Sequence, residues 1–327
     1  MKQVEERYIS LLTDFGFKRI FGSAPNKDLL ICFLNSLFNG RQVVKDVKYL
    51  NPEHVGDVYT DRKAIFDVYC EGENGEKFIV EMQNAYQTYF KDRALFYSTF
   101  PIREQAPKGS EWDFKLNHIY TIALLNFNMN EEAFNKEEIR HHVQLCDTAT
   151  HKIFYDKLEF IYVEIAKFNK SLDELETLYD KWLYALKNLY KLTQRPKALC
   201  DKVFDRLFEE AEIAKFTPQE QREYEASKMA YRDIKNSIDT AKREGKEEGL
   251  AEGREKGLAE GMEKGLAEGM KKGLAEGVEK GLAEGMEKGM NKRSLEIARK
   301  MLANGMDAAT VMEITGLSES QLQQLKG

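Results

Sequence analysis

The segment KAIFDVYCEGENGEKFIVEMQNA, at residues 63–85, decides the fold of this chain. It holds two runs rich in β-branched and aromatic residues, at 63–72 and 77–85, on either side of a polar stretch. Such runs favour β-strands. The Asn74-Gly75 pair between them is typical of the tight turn of a β-hairpin. The segment therefore predicts two adjacent antiparallel strands.

Further elements are predicted on both sides of this hairpin. The apolar spacing of 26–38 predicts a helix that ends at Asn39-Gly40, and 42–50 alternates as an edge or half-buried strand would. Residues 89–106 have a helical pattern that Pro101 should interrupt. The continuous apolar run at 118–127 predicts a central strand buried on both faces.

The sequence continues with two more β-prone segments and then a long helical region. Residues 141–147 and 158–168 are expected to extend the sheet, and 171–240 has helical spacing throughout. Pro196 and Pro218 are the expected breaks in that helical region.

Composition limits the class of protein. The 327 residues are 42% hydrophobic and 32% charged, which is enough for a packed core. With 49 basic and 55 acidic residues, the net charge of −6 excludes a generally basic coat for nucleic acid. Four scattered cysteines without a C-x-x-C pair argue against a disulfide framework or a zinc cluster. With no signal-peptide pattern and apolar runs about half a membrane span long, a soluble cytoplasmic protein is expected, and no membrane partner.

Two carboxylates in the hairpin are candidate metal ligands. Asp67 and Glu81 both lie within apolar runs, where an unpaired carboxylate is costly to bury. Strand alternation places Gln83 on the same face as Glu81, and the hairpin can bring Asp67 beside them. Acidic oxygens that converge at a sheet end suit a hard cation, Mg²⁺ or Mn²⁺. Such a cation can polarise a phosphoryl oxygen and activate water.

A second interpretation fits the same spacing. Asp67 and Glu81 could instead form ion pairs with Arg62, Lys63 or Arg93 on a solvated sheet face. Spacing alone does not distinguish the two interpretations.

Two further pairs of residues also allow two interpretations each. Asp14 and Lys18 are one helical turn apart and could form a simple ion pair. Alternatively, Asp14 extends the metal shell and Lys18 contacts phosphate. Arg93 and Tyr97 are also one turn apart, and either face the cleft to contact the substrate backbone or serve in packing.

A glycine repeat occupies the region before the C-terminal segment. Glycine occurs every fourth residue from Gly245 to Gly289, twelve times in all. Each costs a helix about 1 kcal/mol relative to alanine, and the Glu→Lys pairs spaced i,i+4 recover only ~0.2–0.5 kcal/mol each. The repeat is therefore either a solvated spacer or a self-association helix. In the second case the glycines would allow close approach, and apolar residues such as Leu250 would pack against a partner copy to form a homo-oligomer.

The C-terminal segment, residues 294–325, predicts three short helices. Asp307 can cap the second, Gly316 can end it, and Ser318 with Gln321 forms a capping box for the third. The spacing permits a helix–turn–helix, but the third helix has just one basic residue. Because DNA-reading helices normally carry Arg or Lys for phosphates, a small packing or assembly module is expected instead.

The order helix, edge strand, Asp strand, Glu-x-Gln strand, helix, strand follows the αβββαβ core of the PD-(D/E)XK nucleases. With TDFGFKRIFG near the start, FDVYC and VEMQ, the chain resembles the recombination-promoting nuclease / PD-(D/E)XK transposase family. The resemblance implies an α/β, restriction-endonuclease-like core with a mixed sheet, followed by an all-α C-terminal region. It places Asp67 and Glu81 at the two acidic motif positions. Gln83 takes the lysine position, where a neutral amide would orient water.

These observations predict four segments: a nuclease-like domain at 1–168, a helical region at 169–240, the repeat at 241–293 and a small helical module at 294–327. The expected function is a metal-dependent DNA endonuclease, with a link to recombination or transposition, in which Asp67 and Glu81 bind Mg²⁺ and Gln83 orients the attacking water. The alternative is a catalytically weak or silent DNA-binding or assembly protein on the same fold.

Overall fold

A computed structural model describes residues 6–54, 64–106, 112–129 and 131–325 of the chain. Its internal contacts divide it into two compact units, Met1–Lys242 and Arg243–Gly327, called here the first and second units.

The first unit alternates helices and strands. In chain order they are α1 (Asp14–Phe21), α2 (Lys27–Phe38), β1 (Val47–Tyr49), β2 (Glu53–His54), β3 (Ala64–Ile65), β4 (Val68–Gly72), β5 (Lys77–Gln83), α3 (Phe90–Glu104), β6 (Ile119–Leu125), β7 (Arg140–Cys146), β8 (Ile153–Glu164), α4 (Leu178–Asn188) and α5 (Lys202–Glu210). The long helix α6 (Pro218–Ala303) begins in the first unit and ends in the second.

Six of the strands form one mixed sheet in the order β1-β4-β5-β6-β8-β7. Strands β5, β6 and β8 run parallel to one another, whereas β1 with β4, β4 with β5, and β7 with β8 pair antiparallel. All seven residues of β6 are buried, which confirms the predicted central strand. The predicted edge strand is also confirmed, as β1.

The predicted hairpin is the antiparallel pair β4–β5. Val68 pairs with Val80, and the turn contains Gly75 at φ +82°, a conformation that glycine adopts without steric cost. Strand β4 is shorter than predicted and begins one residue after Asp67. Asp67 therefore lies at the end of the ladder rather than inside it.

Helices from both ends of the first unit share one apolar core with the sheet. Trp182 of α4 and Phe204 of α5 are fully buried in the same cluster as Phe33 of α2 and Val80 of β5. The predicted domain boundary between residues 168 and 169 falls inside this packed unit, because α4 and α5 supply part of its core.

One of the two helix predictions for the first unit is wrong. Helix α3 continues through Pro101, which lies in its last turn and is buried. The missing proline N–H removes one bond of the helix, close to its C-terminal end. The region 171–240 is helical with the predicted breaks: Pro196 lies between α4 and α5, and Pro218 is the first residue of α6. Extended residues and short 3₁₀ turns separate these helices.

In the second unit, α6 contains the whole glycine repeat. Every residue from 243 to 293 is exposed, and a Cβ added to any of the twelve glycines would meet nothing within 4 Å. Among the Glu→Lys pairs spaced i,i+4 in the repeat, Glu252–Lys256 and Glu284–Lys288 form ion pairs, each at 3.7 Å.

The C-terminal end of the second unit contains α7 (Ala308–Thr315) and α8 (Glu319–Gln323). The predicted caps are confirmed: Asp307 accepts from the N–H of Thr310 at 3.0 Å, Gly316 ends α7 at φ +71°, and Ser318 forms the capping box of α8. The first of the three predicted helices is not a separate element, because α6 continues without a break to Ala303. Among the described residues, no helix is long and apolar enough to cross a membrane.

Candidate active site

The hairpin brings Asp67 and Glu81 together at one end of the sheet. Asp67 immediately precedes Val68, and Val68 pairs with Val80, the residue before Glu81. The backbone N–H of Met82 donates to Oδ2 of Asp67 at 2.9 Å, which fixes the Asp67 carboxylate beside β5. The structure therefore places the two carboxylates as neighbours, one just before β4 and the other within β5.

Both carboxylates are electrostatically destabilised as anions. Glu81 is only 7% exposed, and burial together with the nearby Asp67 carboxylate raises the pKa of Glu81 to about 8. Burial also raises the pKa of Asp67, although the Met82 N–H and the Lys18 ammonium partly oppose the rise. A cation bound between them would relieve this repulsion.

Gln83 lies beside Glu81 on the same face of β5, as strand alternation predicts. Its Nε2 donates to Oε2 of Glu81 at 2.9 Å, and its Oε1 accepts from Nη2 of Arg93 at 2.5 Å. Nη1 of Arg93 donates to Oε1 of Gln87 at 2.5 Å. The Gln83 amide is therefore held in one orientation between an acid and a cation.

Arg93 and Tyr97 both lie at the carboxylate pair, on α3. The Arg93 Cζ is 5.9 Å from the centroid of the Tyr97 ring, and Arg93 opposes the rise in the pKa of Glu81. Burial, and then the negative charge of Glu81, raises the pKa of Tyr97. The Tyr97 ring also packs edge-on against Phe66 at 5.2 Å. Tyr97 therefore lies near Glu81 and also packs against Phe66, so the two predicted locations do not exclude each other.

Lys18 reaches Asp67 from α1. Its Nζ is 2.6 Å from Oδ1 of Asp14 and 3.7 Å from Oδ1 of Asp67. Burial lowers the pKa of Lys18, but the two carboxylates outweigh burial and raise it overall. The i,i+4 ion pair is therefore present, and it also brings a positive charge to the candidate site.

Gly16 lets the start of α1 lie close to the backbone of Ser10, and it was not among the predicted site residues. A Cβ at Gly16 would lie 2.1 Å from the carbonyl oxygen of Ser10, so only glycine fits there. Thr13 caps the helix by accepting from the Gly16 N–H at 3.1 Å. The sequence indicates this close approach only through the presence of a glycine between Phe15 and Phe17 in TDFGFKRIFG.

The carboxylates of the site are the kind of ligand that a hard cation prefers, but there are few of them. Within the described part of the chain, no group of three or more His, Cys, Asp or Glu side chains could hold a metal ion. Asp14 is largely exposed and bound to Lys18, so it does not complete such a group. Asp67 and Glu81 remain as the two carboxylate donors, and such oxygen ligands suit Mg²⁺ or Mn²⁺.

The predicted solvated sheet face does not describe this site. Glu81 is buried, and Gln83 bridges it to Arg93. The other suggested partners, Arg62 and Lys63, lie outside the described residues.

Comparison with known proteins agrees with this geometry. Residues 291–327 match the Rpn/YhgA-like nuclease family, C-terminal HTH domain. This segment was expected to be a packing or assembly module because it has few basic residues, and the match identifies it as a helix–turn–helix instead. No curated protein and no solved structure matches the chain. Residues 11–241 match the model of the PD-(D/E)XK nuclease family transposase. Because this match spans well over half of the sequence and includes the hairpin, the chain belongs to the PD-(D/E)XK nuclease family of transposases.

Proposed function

We propose that this protein is a divalent-metal-dependent DNA endonuclease that hydrolyses phosphodiester bonds with an activated water. The observation that carries the proposal is the carboxylate pair of the partly buried Asp67 and the buried Glu81, with Gln83 bound to Glu81. Two neighbouring acids with raised pKa values are costly to the fold, and such costs are typical of functional sites. Membership of a nuclease family supports the same chemistry.

Each residue of the site has a distinct role in this proposal. Asp67 and Glu81 would hold Mg²⁺ or Mn²⁺ through their carboxylate oxygens. When bound, such a cation polarises a phosphoryl oxygen and lowers the pKa of a bound water. Gln83 uses one amide hydrogen on Glu81, and its second amide hydrogen can orient the attacking water.

Arg93 and Lys18 would supply the positive charge that Gln83 lacks. The lysine of the parent motif places a cation beside the scissile phosphate, whereas glutamine is neutral. Here the Arg93 guanidinium contacts Gln83 directly, and Lys18 lies 3.7 Å from Asp67. Cations at both carboxylates can contact the DNA backbone and stabilise the charge that develops on the phosphate.

The C-terminal helix–turn–helix would contribute DNA binding. Val311 of α7, Leu317 of the turn and Leu322 of α8 share a hydrophobic cluster with Ala298 of α6, so the tail has a small core of its own. This match also favours the second candidate, a DNA-binding protein that cleaves weakly or not at all because Gln83 replaces a catalytic lysine. A link to recombination or transposition would follow from DNA cleavage, since the site residues themselves account only for hydrolysis.

Plasmid nicking by the purified full-length chain tests both candidates. Wild type should nick supercoiled DNA with Mg²⁺ or Mn²⁺ and not with EDTA, and Asp67→Ala and Glu81→Ala should abolish nicking. Glu71→Ala is the matched control, because Glu71 lies on the same hairpin but pairs with Lys77 at 2.8 Å. Nicking by Asp67→Ala at the wild-type rate would refute the proposal. DNA binding without any nicking by wild type would establish the second candidate.

A further inference from the structure

The loop between β5 and α3 exposes two aromatic rings. Residues 86–89, Tyr-Gln-Thr-Tyr, are all exposed, with Tyr86 at 51% and Tyr89 at 75% of their full accessible surface. Aromatic rings carry a large apolar area that is normally buried, so two exposed tyrosines three residues apart offer surface for a ligand.

Contacts on both sides hold this loop in place. At its start, Asn84 donates to the carbonyl of Leu12 at 2.8 Å. In its middle, Gln87 accepts from Arg93 at 2.5 Å, and at its end Phe90 is buried. The Tyr86 ring meets the Phe127 ring edge-on, with centroids 5.7 Å apart. The exposed rings are therefore presented by an anchored segment.

The same contacts connect the loop to the candidate active site. One guanidinium, that of Arg93, binds both Gln83 and Gln87, and the two tyrosines flank Gln87 in the chain at 86 and 89. A nucleic-acid strand whose phosphate contacts Arg93 at the carboxylate pair would therefore carry its neighbouring bases past this loop.

We infer that Tyr86 and Tyr89 form a stacking subsite for unpaired bases of the substrate strand. The inference rests on the proposed function and adds the class of substrate to it. Bases inside an intact duplex are already stacked, and their faces are inaccessible to a side chain. Exposed aromatic rings beside a phosphate-binding cation are the usual platform for single-stranded nucleic acid. The preferred substrate is therefore DNA with a gap, a flap or a single-stranded segment at the cleavage position.

Equilibrium binding to labelled DNA tests this subsite. Gapped and intact duplexes of equal length and sequence would be titrated with the full-length protein in Ca²⁺, and binding followed by fluorescence anisotropy. The test variant is Tyr86→Leu/Tyr89→Leu, which keeps apolar side chains but removes the rings. Tyr86→Phe/Tyr89→Phe keeps the rings. Phe154→Leu is the matched control, because Phe154 is an 83% exposed aromatic residue at the start of β8.

Wild type should bind the gapped duplex more tightly than the intact one. The double leucine variant should lose about tenfold or more on gapped DNA, since base–aromatic stacking contributes roughly 1–3 kcal/mol per base. Its affinity for intact duplex should stay within about twofold of wild type, a change under ~0.5 kcal/mol. The double phenylalanine variant and Phe154→Leu should bind both DNAs as wild type does.

Two outcomes would overturn the inference: wild-type affinity of the leucine variant for gapped DNA, or an equal loss on both duplexes. Plasmid nicking is measured separately and depends on Asp67. A protein that nicks plasmid but shows no effect of the leucine variant would keep the proposed function and lose this subsite. A preference for gapped DNA that depends on the rings, without nicking by wild type, would keep this subsite and refute the proposed function.

Discussion

Replacing Glu81 by glutamine should stabilise the metal-free protein, and the gain should grow as the pH rises. Burial and the Asp67 carboxylate raise the pKa of Glu81 from 4.5 to about 8. Between these two values the folded state keeps a proton that the unfolded state has lost, so wild-type stability falls as the pH rises. At 1.36 kcal/mol per pKa unit, the loss is about 3 kcal/mol at pH 7 and about 5 kcal/mol when Glu81 is fully ionised. A glutamine has no charge to bury and avoids this loss.

Urea unfolding in EDTA, below, within and above this pH window, measures the effect. The fluorescence of Trp182 is a suitable signal, because that side chain is fully buried in the first unit. Glu81→Gln and wild type should be equally stable at acid pH and diverge by about 3 kcal/mol at pH 7. Added Mg²⁺ should reduce or reverse the difference, because it binds the folded wild type and not the variant.

Glu159→Gln is the control of opposite sign. Burial alone would raise the pKa of Glu159, but hydrogen bonds from His142 and Arg41 outweigh burial and lower it. The ionised carboxylate therefore stabilises the fold above the pKa of the unfolded state, and its replacement should destabilise the protein near neutral pH. A Glu81→Gln variant with no pH-dependent gain over wild type would refute the assignment of Glu81 as a buried, repelled acid.

Three further predictions concern the site, α1 and the repeat. Gln83→Lys should keep or raise the nicking rate, whereas Arg93→Ala should lower it on the order of 10²-fold, and an unaffected Arg93→Ala would remove arginine from the chemistry. Gly16→Ala should cost about 1–3 kcal/mol in urea unfolding because its Cβ meets backbone, whereas Gly265→Ala, in open space, should strengthen the helix by about 1 kcal/mol. Deleting two octads between 249 and 289 should preserve the cleavage rate on a short duplex, and light scattering would show any change in assembly. A tenfold loss of rate at unchanged mass would instead place the repeat against the DNA or the site.

Local signals in the sequence predicted much of the hairpin and its surroundings. The Asn74-Gly75 turn, the buried strand β6 and the caps at Asp307 and Ser318 each depend on a few adjacent residues. Strand alternation alone placed Gln83 beside Glu81. These features need no knowledge of the tertiary structure, and the structure confirms them.

Features that depend on distant contacts were not predictable. Lys18 reaches Asp67 from a helix 49 residues earlier in the chain, and the bond of Arg93 to Gln83 depends on where α3 packs. The burial of Pro101 in the last turn of α3 is likewise a feature of the tertiary structure. The sequence did not predict the helix–turn–helix, because the number of basic residues reflects phosphate contacts and not how the helices pack.

The geometry of the repeat decides between its two interpretations better than its composition does. Its apolar residues recur every fourth position from Leu250 to Met290, interrupted by Arg254, and all of them are exposed. Four residues advance a helix by about 400°, so the row drifts by ~40° per step and circles the helix within roughly 36 residues, or ~54 Å. A continuous coiled coil needs a period near 3.5 or 3.67 residues, and a period of 4 carries the row away from any straight partner. A single second helix could therefore cover only part of the row, which favours a spacer over a continuous self-association interface. In a spacer of this kind, each octad changes the distance along the helix by about 12 Å and the rotation by about 80°.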